Sequence, residues 1–480
     1  MIQNTKHILV PIIAMLILFA SSCNDTKSTA TASESIIQVE YPETYELANI
    51  ILALTEYGQT DPWEVRQGFA YYDEVQAYFK PVSKHPLLDS VNYSRERWEE
   101  YLSFRTDSYA FSFDENNKLK RDRDFYTNEG FSPFDAHLNL LNDFVAKSNF
   151  RTFFAAHQDY YNFIAAKYKE TQYLNEMRTF LSSEFEPQYT YADHYKVVLS
   201  PFVYRMNCHR DIDSTTTADF ITIPAYVLSD TITVQEKDIA TGVHNLFTEM
   251  DHGYVNPTTK KYIELVRNNF DETVWNKESG YENNDNAVFN EYMTWAVYDL
   301  FLQKHFPEFA EELGLYWSFQ NESRGFPYAQ LFTQKLLSLY NTKKAAETIE
   351  DLYPQLLQWT SEVQKSVTKP TLLLAKDSIT LPFSPTTEIR IAFSEPMKKV
   401  ENFTIILQDE KQQQAIQEIT AQDNGIAWTE NGEEVSFTLA LPATSKQYYI
   451  LFNWWGTKNP IYSEKNILLT NTSYMKLINE

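Results

Sequence analysis

TEMDHGYVNP, residues 248–257, decides how the chain is read. Glu249 and His252 fall at the second and fifth positions of a His-Glu-x-x-His pattern, in which two histidines one helical turn apart hold zinc and the glutamate polarises a water. Thr248 stands where the first histidine belongs. A threonine hydroxyl is a poor neutral donor for zinc beside an imidazole, so the stretch reads as a metal-site helix with one ligand position replaced. On a helix Thr248 and His252 share a face and Glu249 leans toward the adjacent one. A carboxylate ligand has to come from another element, and NEYMTWA at 290–296 offers Glu291. Packing the two helices would gather His252, Glu291 and the position of Thr248 around one point, with Glu249 beside the open coordination position. His244 lies one turn before Thr248. Eight residues separate it from His252, about 12 Å of helical rise, too far for both rings to meet one ion across the turn between them. It reads as a polar or hydrogen-bonded wall residue.

Outward from this stretch the texture is helical. ELANIILALTEY, VQAYF, RERWEEYLSF, the long run from FDAHLNLL through FIAAKYKE, and EMRTFLSSEF place apolar residues at three- and four-residue spacing, which predicts helices with one buried stripe. HYKVVLSPFVY at 194–204 and DFITIPAYV at 219–227 read as strands, divided by the turn-rich NCHRDIDSTTTA that holds His209 and Asp211. Helical spacing resumes through TVQEKDIATGVHNLFTEMDHGYVN, with Gly253 and Asn256-Pro257 as the expected stop. Further helices carry the chain to about residue 367. From there short β-prone runs such as EIRIAFS, NFTIILQD, EVSFTLAL and QYYILFNWW predict a sandwich over 371–480. The fold class expected is multidomain: a mainly α domain with a small sheet at 40–367, followed by a β-sandwich.

The N-terminus points to a compartment. Lys6 and His7 precede the apolar run at 8–20, which is short for a membrane span and is followed by SSC. Small residues before Cys23 resemble a bacterial lipoprotein processing box. Residues 1–22 are then a signal peptide, Cys23 the lipidated first residue and 23–39 a polar tether; the alternative is an ordinary signal peptide with an incidental cysteine. Only Cys208 remains after processing, which precludes an internal disulfide. The expected location is the cell envelope, lipid-anchored, on the periplasmic side or at the surface. Sixty-five acidic against 41 basic residues, a formal charge of −24, argue against nucleic acid or anionic membrane as partners of the folded surface. With 32 tyrosines and 32 phenylalanines, an aromatic near a candidate site carries little information by itself. His157, in FFAAHQDYYNF, and His244 are candidate cleft residues, and Tyr316, Arg324 and Tyr328 would bind a peptide carbonyl or steady an oxyanion if the fold brings them to Glu249.

Taken together, ELANIILAL, VQAYFKPVSKHP, FRTFFAAHQDYY, VVLSP, TEMDHGYVNP and NEYMTWA resemble an uncharacterised family of bacterial secreted proteins with a gluzincin-like metallopeptidase core. The resemblance covers most of residues 40–340. It implies a metallopeptidase-like α+β fold, a general-base role for Glu249, and His252 and Glu291 as metal ligands. EIRIAFSEPM at 388–397 resembles the opening of a bacterial Ig-like domain, which implies a spacer or contact module. Because this chain departs from the family at Thr248, the expected function is a degenerate site that binds peptide or protein with hydrolysis absent or impaired and no resident cofactor. The alternative is an active zinc-dependent peptidase. The lipoprotein assignment has a direct check: mass spectrometry of the mature N-terminus from a bacterial host is expected to find cleavage before Cys23 with acyl chains attached, and an unlipidated product cut elsewhere would sink it.

Overall fold

The run ETYELANIILAL forms the helix Glu43–Leu54, and every residue from Thr44 to Leu54 is buried. A helix that is apolar on nearly all sides belongs inside a core rather than on its surface, so the single buried stripe expected for it is replaced by all-round burial. Its buried polar side chains make hydrogen bonds: Thr44 Oγ1 donates to the Phe111 carbonyl at 3.1 Å, Asn49 Nδ2 donates to the Tyr45 carbonyl at 2.8 Å and Glu46 Oε1 accepts from the Tyr71 hydroxyl at 2.8 Å. This computed structural model describes residues 37–61, 63–128, 130–186, 195–282, 286–373, 379–381, 386–441, 445–454, 457–470 and 474–479. Cys23, the expected signal sequence and nearly all of the expected tether lie outside the described residues. The architecture is multidomain and mixed α/β, with several helices and sheets. Among the described residues no helix is long and apolar enough to cross a membrane.

The small sheet has four strands. Gln38–Glu40 pairs in parallel with Tyr195–Leu199, which pairs in parallel with Thr217–Ile221, and Cys208–Asp211 closes the order as an antiparallel edge. The segment expected to be a turn therefore contains the edge strand. Its alternation is weak because only Cys208 is buried, while all five residues of Thr217–Ile221 are. Register sets His209 opposite Asp219.

Helix His244–Met250 packs against the Thr217–Ile221 strand and against the 19-residue helix Ala287–His305. The stop expected at Gly253 and Pro257 does not occur. After a single turn residue at Asp251 the chain continues as His252–Lys261, with Pro257 inside the helix. Proline removes one backbone donor and crowds the preceding turn, which bends a helix without ending it where both flanks are packed. The motif thus lies at the joint of two helices, and His252–Lys261 also packs on Ala287–His305. Trp275, wholly buried, stacks on Phe270 at 5.4 Å, meets Tyr292 edge-on at 5.3 Å and donates from Nε1 to Gln364 at 3.0 Å.

The last long helix ends at Val363, and the elements beyond it are strands apart from the four-residue helix Ala421–Asn424. Five strands pair in the order Gln414–Thr420, Asn402–Asp409, Gln447–Phe452, Tyr474–Asn479, Ile379–Leu381; three pair in the order Ala427–Trp428, Glu434–Leu439, Thr387–Ala392. Both sheets contribute to one apolar core, where Phe403 of the first meets Phe437 of the second at 5.4 Å. Gln414–Thr420 and Tyr474–Asn479 were not legible as strands. The first is too exposed to show alternation.

Several acids lie inside this fold. Burial raises Glu46 and Glu64 from the ordinary 4.5 to about 7, against the hydrogen bonds to Glu46 and the Arg105 charge near Glu64. The folded state then binds protons more tightly than the unfolded chain, so the stability these groups contribute is complete below about pH 4.5 and is lost as the pH rises through about 7. The urea midpoint of the protein is expected to fall between about pH 5 and pH 8. Glu46→Gln, which keeps an acceptor for Tyr71, should flatten that fall; an unchanged pH slope in the variant would refute the assignment to Glu46.

Candidate functional site

The joint between His244–Met250 and His252–Lys261 brings the two sequence-predicted ligands together. His252 Nε2 stands 3.5 Å from Glu291 Oε1, and the two side chains are 17% and 13% exposed, shielded but reachable. His252 Nδ1 lies 3.1 Å from Asn256 Oδ1, one turn along the same helix. An amide oxygen can only accept, so this contact places the proton on Nδ1 and leaves Nε2 aimed at Glu291. Two ligands at about 2.0–2.2 Å from a tetrahedral ion stand roughly 3.3–3.6 Å apart, and the observed separation falls in that interval, beyond a normal hydrogen bond. One edge of a metal site therefore fits.

The third position does not fit. Thr248 is buried, and its hydroxyl donates back to the His244 carbonyl at 3.1 Å, the usual recourse of a threonine within a helix. His244 is no substitute. Its ring stacks on Trp317 at 3.6 Å and meets Tyr298 edge-on at 4.8 Å, and burial pushes its pKa down to about 3. His244 therefore stands in an aromatic wall beside Thr248, with Asn245 as its polar neighbour. No group of three or more His, Cys, Asp or Glu side chains among the described residues is arranged to hold a metal ion.

Around this edge the fold assembles carboxylates. Glu249 is pushed up to about 7, chiefly by burial; the nearby Asp219 and Glu291 add to the rise, and His252 and His209 oppose it. Asp251, at the joint itself, is wholly buried, and neither carboxylate oxygen has a hydrogen-bond partner among the described residues. Burial, and then the charges of Glu249, Glu291 and Asp219, hold its pKa well above the ordinary value. Asp219 is better served, accepting from the Tyr195 hydroxyl and lying 2.6 Å from His209 Nδ1. For His209, burial opposes the charge, but Asp219 with its hydrogen bond, together with Glu249 and Asp211, raises the imidazole overall. The arrangement can hold and release protons near neutrality at Glu249 and can orient one imidazole.

Arg324 lies at 5.8 Å over the Trp295 ring. It also neighbours Tyr281, whose phenol is raised first by Glu291 and then by burial, with Arg324 opposing. Arg324 thus shares a neighbour with Glu291. The other cleft candidates have different surroundings. His157 is held by the Phe153 carbonyl at 2.8 Å and Glu74 at 2.9 Å beside Tyr71. Tyr328 packs against Trp275 at 5.7 Å, and Tyr316 is exposed on Trp317. Asp219, Asp251 and Tyr281 were missed. Asp219 offered only a charge at the head of the apolar run FITIPAYV, Asp251 was one more polar residue of the motif, and Tyr281, in the polar stretch KESGYENND, was one of 32 tyrosines. Cys208 sits under the site as a free, buried thiol pushed up to about 11 by burial, which makes it a poor nucleophile.

Comparison of the chain with family models, curated proteins and solved structures returns no match. The site can be interrogated directly. Thr248→His restores an imidazole on the face that carries His252, and after zinc loading and dialysis the variant is expected to retain clearly more metal than the wild type when both are assayed by elemental analysis. Equal, negligible retention by both proteins would mean that positions 248, 252 and 291 do not converge on one point.

Proposed function

We propose that this chain is a lipid-anchored protein of the bacterial envelope whose helical region, residues 40–367, is a gluzincin-like metallopeptidase fold that binds polypeptide without efficient hydrolysis. The observation that carries this reading is the Thr248 hydroxyl turned onto its own helix at the position of a zinc ligand. Without that donor, His252 and Glu291 supply two protein ligands, which is short of the three usual for a catalytic zinc. The polypeptide part of the reading is supported by the Cys208–Asp211 strand. It ends the order of its sheet and packs against the helix that bears Glu249, so an extended chain adding to its outer edge would gain backbone hydrogen bonds alongside the site. The C-terminal β-region, residues 371–480, is then an Ig-like spacer or contact module, and Cys23 is the anchor.

A second reading, an active zinc-dependent peptidase, is favoured by two observations: the metal-like 3.5 Å separation of His252 and Glu291, and a Glu249 carboxyl poised near neutrality. Zinc, when bound, would polarise a carbonyl and acidify a water. This chain's own residues would orient the imidazole through Asn256 and hold a proton at Glu249.

One experiment separates the two. The full-length protein, loaded with zinc, dialysed and incubated with a broad peptide library, is expected to retain little stoichiometric metal, to leave the library uncut, and to enrich a subset of the peptides on a pull-down. Tight one-to-one zinc with cleavage that disappears in Glu249→Gln would replace the first reading by the second. Neither cleavage nor enrichment would remove polypeptide as the ligand.

A further inference from the structure

The β-region reaches the helical region through a loop, 461–469, whose two arms bridge at Tyr462 and Leu468. Asn453, itself buried, holds the base of the loop: Nδ2 donates to the Ile461 carbonyl at 3.1 Å and to the Leu469 carbonyl at 3.0 Å, and Oδ1 accepts from the Ile461 amide at 2.8 Å. Tyr462 and Leu468 pack with Phe319 of the helix Ala310–Ser323, and Ile467 joins the main apolar cluster of the helical region. One turn beyond Phe319, the buried Glu322 has both carboxylate oxygens engaged. Oε2 accepts from the Tyr462 hydroxyl at 3.1 Å and Oε1 from the Gln330 amide at 3.2 Å. The second bond satisfies a first-turn amide of the helix Ala329–Thr342, whose N-cap residue, Tyr328, makes no side-chain cap.

One carboxylate therefore reaches from the end of one helix to the start of the next and clips the turn 324–328 between them. That turn leans on the candidate site. Arg324 lies 5.8 Å over Trp295, and Phe326 meets Trp295 edge-on at 4.6 Å. Trp295 follows Glu291 by one turn of the helix Ala287–His305. The Tyr328 amide donates to the Tyr292 hydroxyl at 3.3 Å, and the Gly325 carbonyl accepts from the Lys277 amide at 2.8 Å. Gly325 has φ 103°, and a Cβ there would collide with the Lys277 carbonyl, so the turn sits flush on the 277–279 segment. Beside it, Arg324 and Glu291 act on the Tyr281 phenol in opposite senses. We propose that the β-region is a positioning element for the candidate site: the Tyr462 hydroxyl fixes Glu322, Glu322 fixes the turn 324–328, and the turn sets Arg324 and Phe326 against Trp295 on the helix that carries Glu291. This role goes beyond that of a spacer and is independent of what the site binds.

The test uses the full-length chain labelled with fluorotryptophan, in which the Trp295 signal among nine tryptophans is assigned with Trp295→Phe. Tyr462→Phe keeps the ring that packs with Phe319 and removes only the donor to Glu322. It is expected to move or broaden the Trp295 fluorine resonance and to speed amide hydrogen exchange across 322–330 by roughly three- to tenfold, the factor that goes with one lost buried hydrogen bond. Exchange in the helix Glu43–Leu54, which belongs to a separate apolar cluster, should stay as in the wild type. Glu322→Gln should leave both readings near wild type, because its amide can accept from Gln330 and donate to the Tyr462 oxygen. A Trp295 resonance and a 322–330 exchange rate unchanged in Tyr462→Phe would overturn the proposal. So would exchange that rises equally in Glu43–Leu54, the mark of general destabilisation, or a Glu322→Gln variant that disturbs the turn as much as Tyr462→Phe does.

Discussion

Four acidic side chains, Asp219, Glu249, Asp251 and Glu291, meet along the seam where the His244–Met250 helix is pressed between the Thr217–Ile221 strand and the helix Ala287–His305, on which His252–Lys261 also packs. Ionised together in a shielded place they would repel one another and forfeit hydration, so the seam stays closed by neutralising them. Each is handled differently. Asp219 is paired with His209 and Tyr195, Glu291 faces His252, Glu249 is held near neutrality, and Asp251 is pushed far toward its protonated form. The chemistry available to the site follows from that division, since a proton at Glu249 is exchangeable near pH 7.

Threonine at position 248 fits the same constraint. An unligated histidine there would add a polar ring to a buried turn, whereas threonine satisfies its own hydroxyl within the helix and asks nothing of its neighbours. The aromatic wall of His244, Trp317 and Tyr298 behind it is already packed. The seam is therefore packed around Thr248 as it stands, and His252 and Glu291 keep their 3.5 Å separation with Asn256 beside the imidazole.

The β-region is tied to the helical region through a small apolar contact and a buried acid. Phe319, Tyr462 and Leu468 form a separate cluster, and beside it Glu322 accepts from the Tyr462 hydroxyl at 3.1 Å and from the Gln330 amide at 3.2 Å. Burial lifts Glu322 to about 8, with Lys369 nearby opposing the rise. A buried acid satisfied by groups from both regions fixes how they meet more sharply than apolar contact alone, because displacement leaves it unpaired.

The periodic long helices, the two central strands of the small sheet and most of the C-terminal strands were legible in the sequence, since each depends on spacing that a buried face imposes along a continuous stretch. So were the residues of the candidate site that lie close in sequence, Thr248, Glu249 and His252, though the structure divides them between two helices joined at Asp251, and the partner helix bearing Glu291. What spacing could not show was anything set by contact across elements. The edge strand Cys208–Asp211 exists because His209 is drawn opposite Asp219, and the helix runs through Pro257 because packing on Ala287–His305 outweighs one missing hydrogen bond. His157 and Tyr328 were plausible cleft residues until the fold gave them Glu74 and Trp275 as neighbours. Asp251 and Tyr281 became notable only through burial and proximity, which tertiary structure alone decides because a side chain's charge state depends on what surrounds it rather than on its place in the chain.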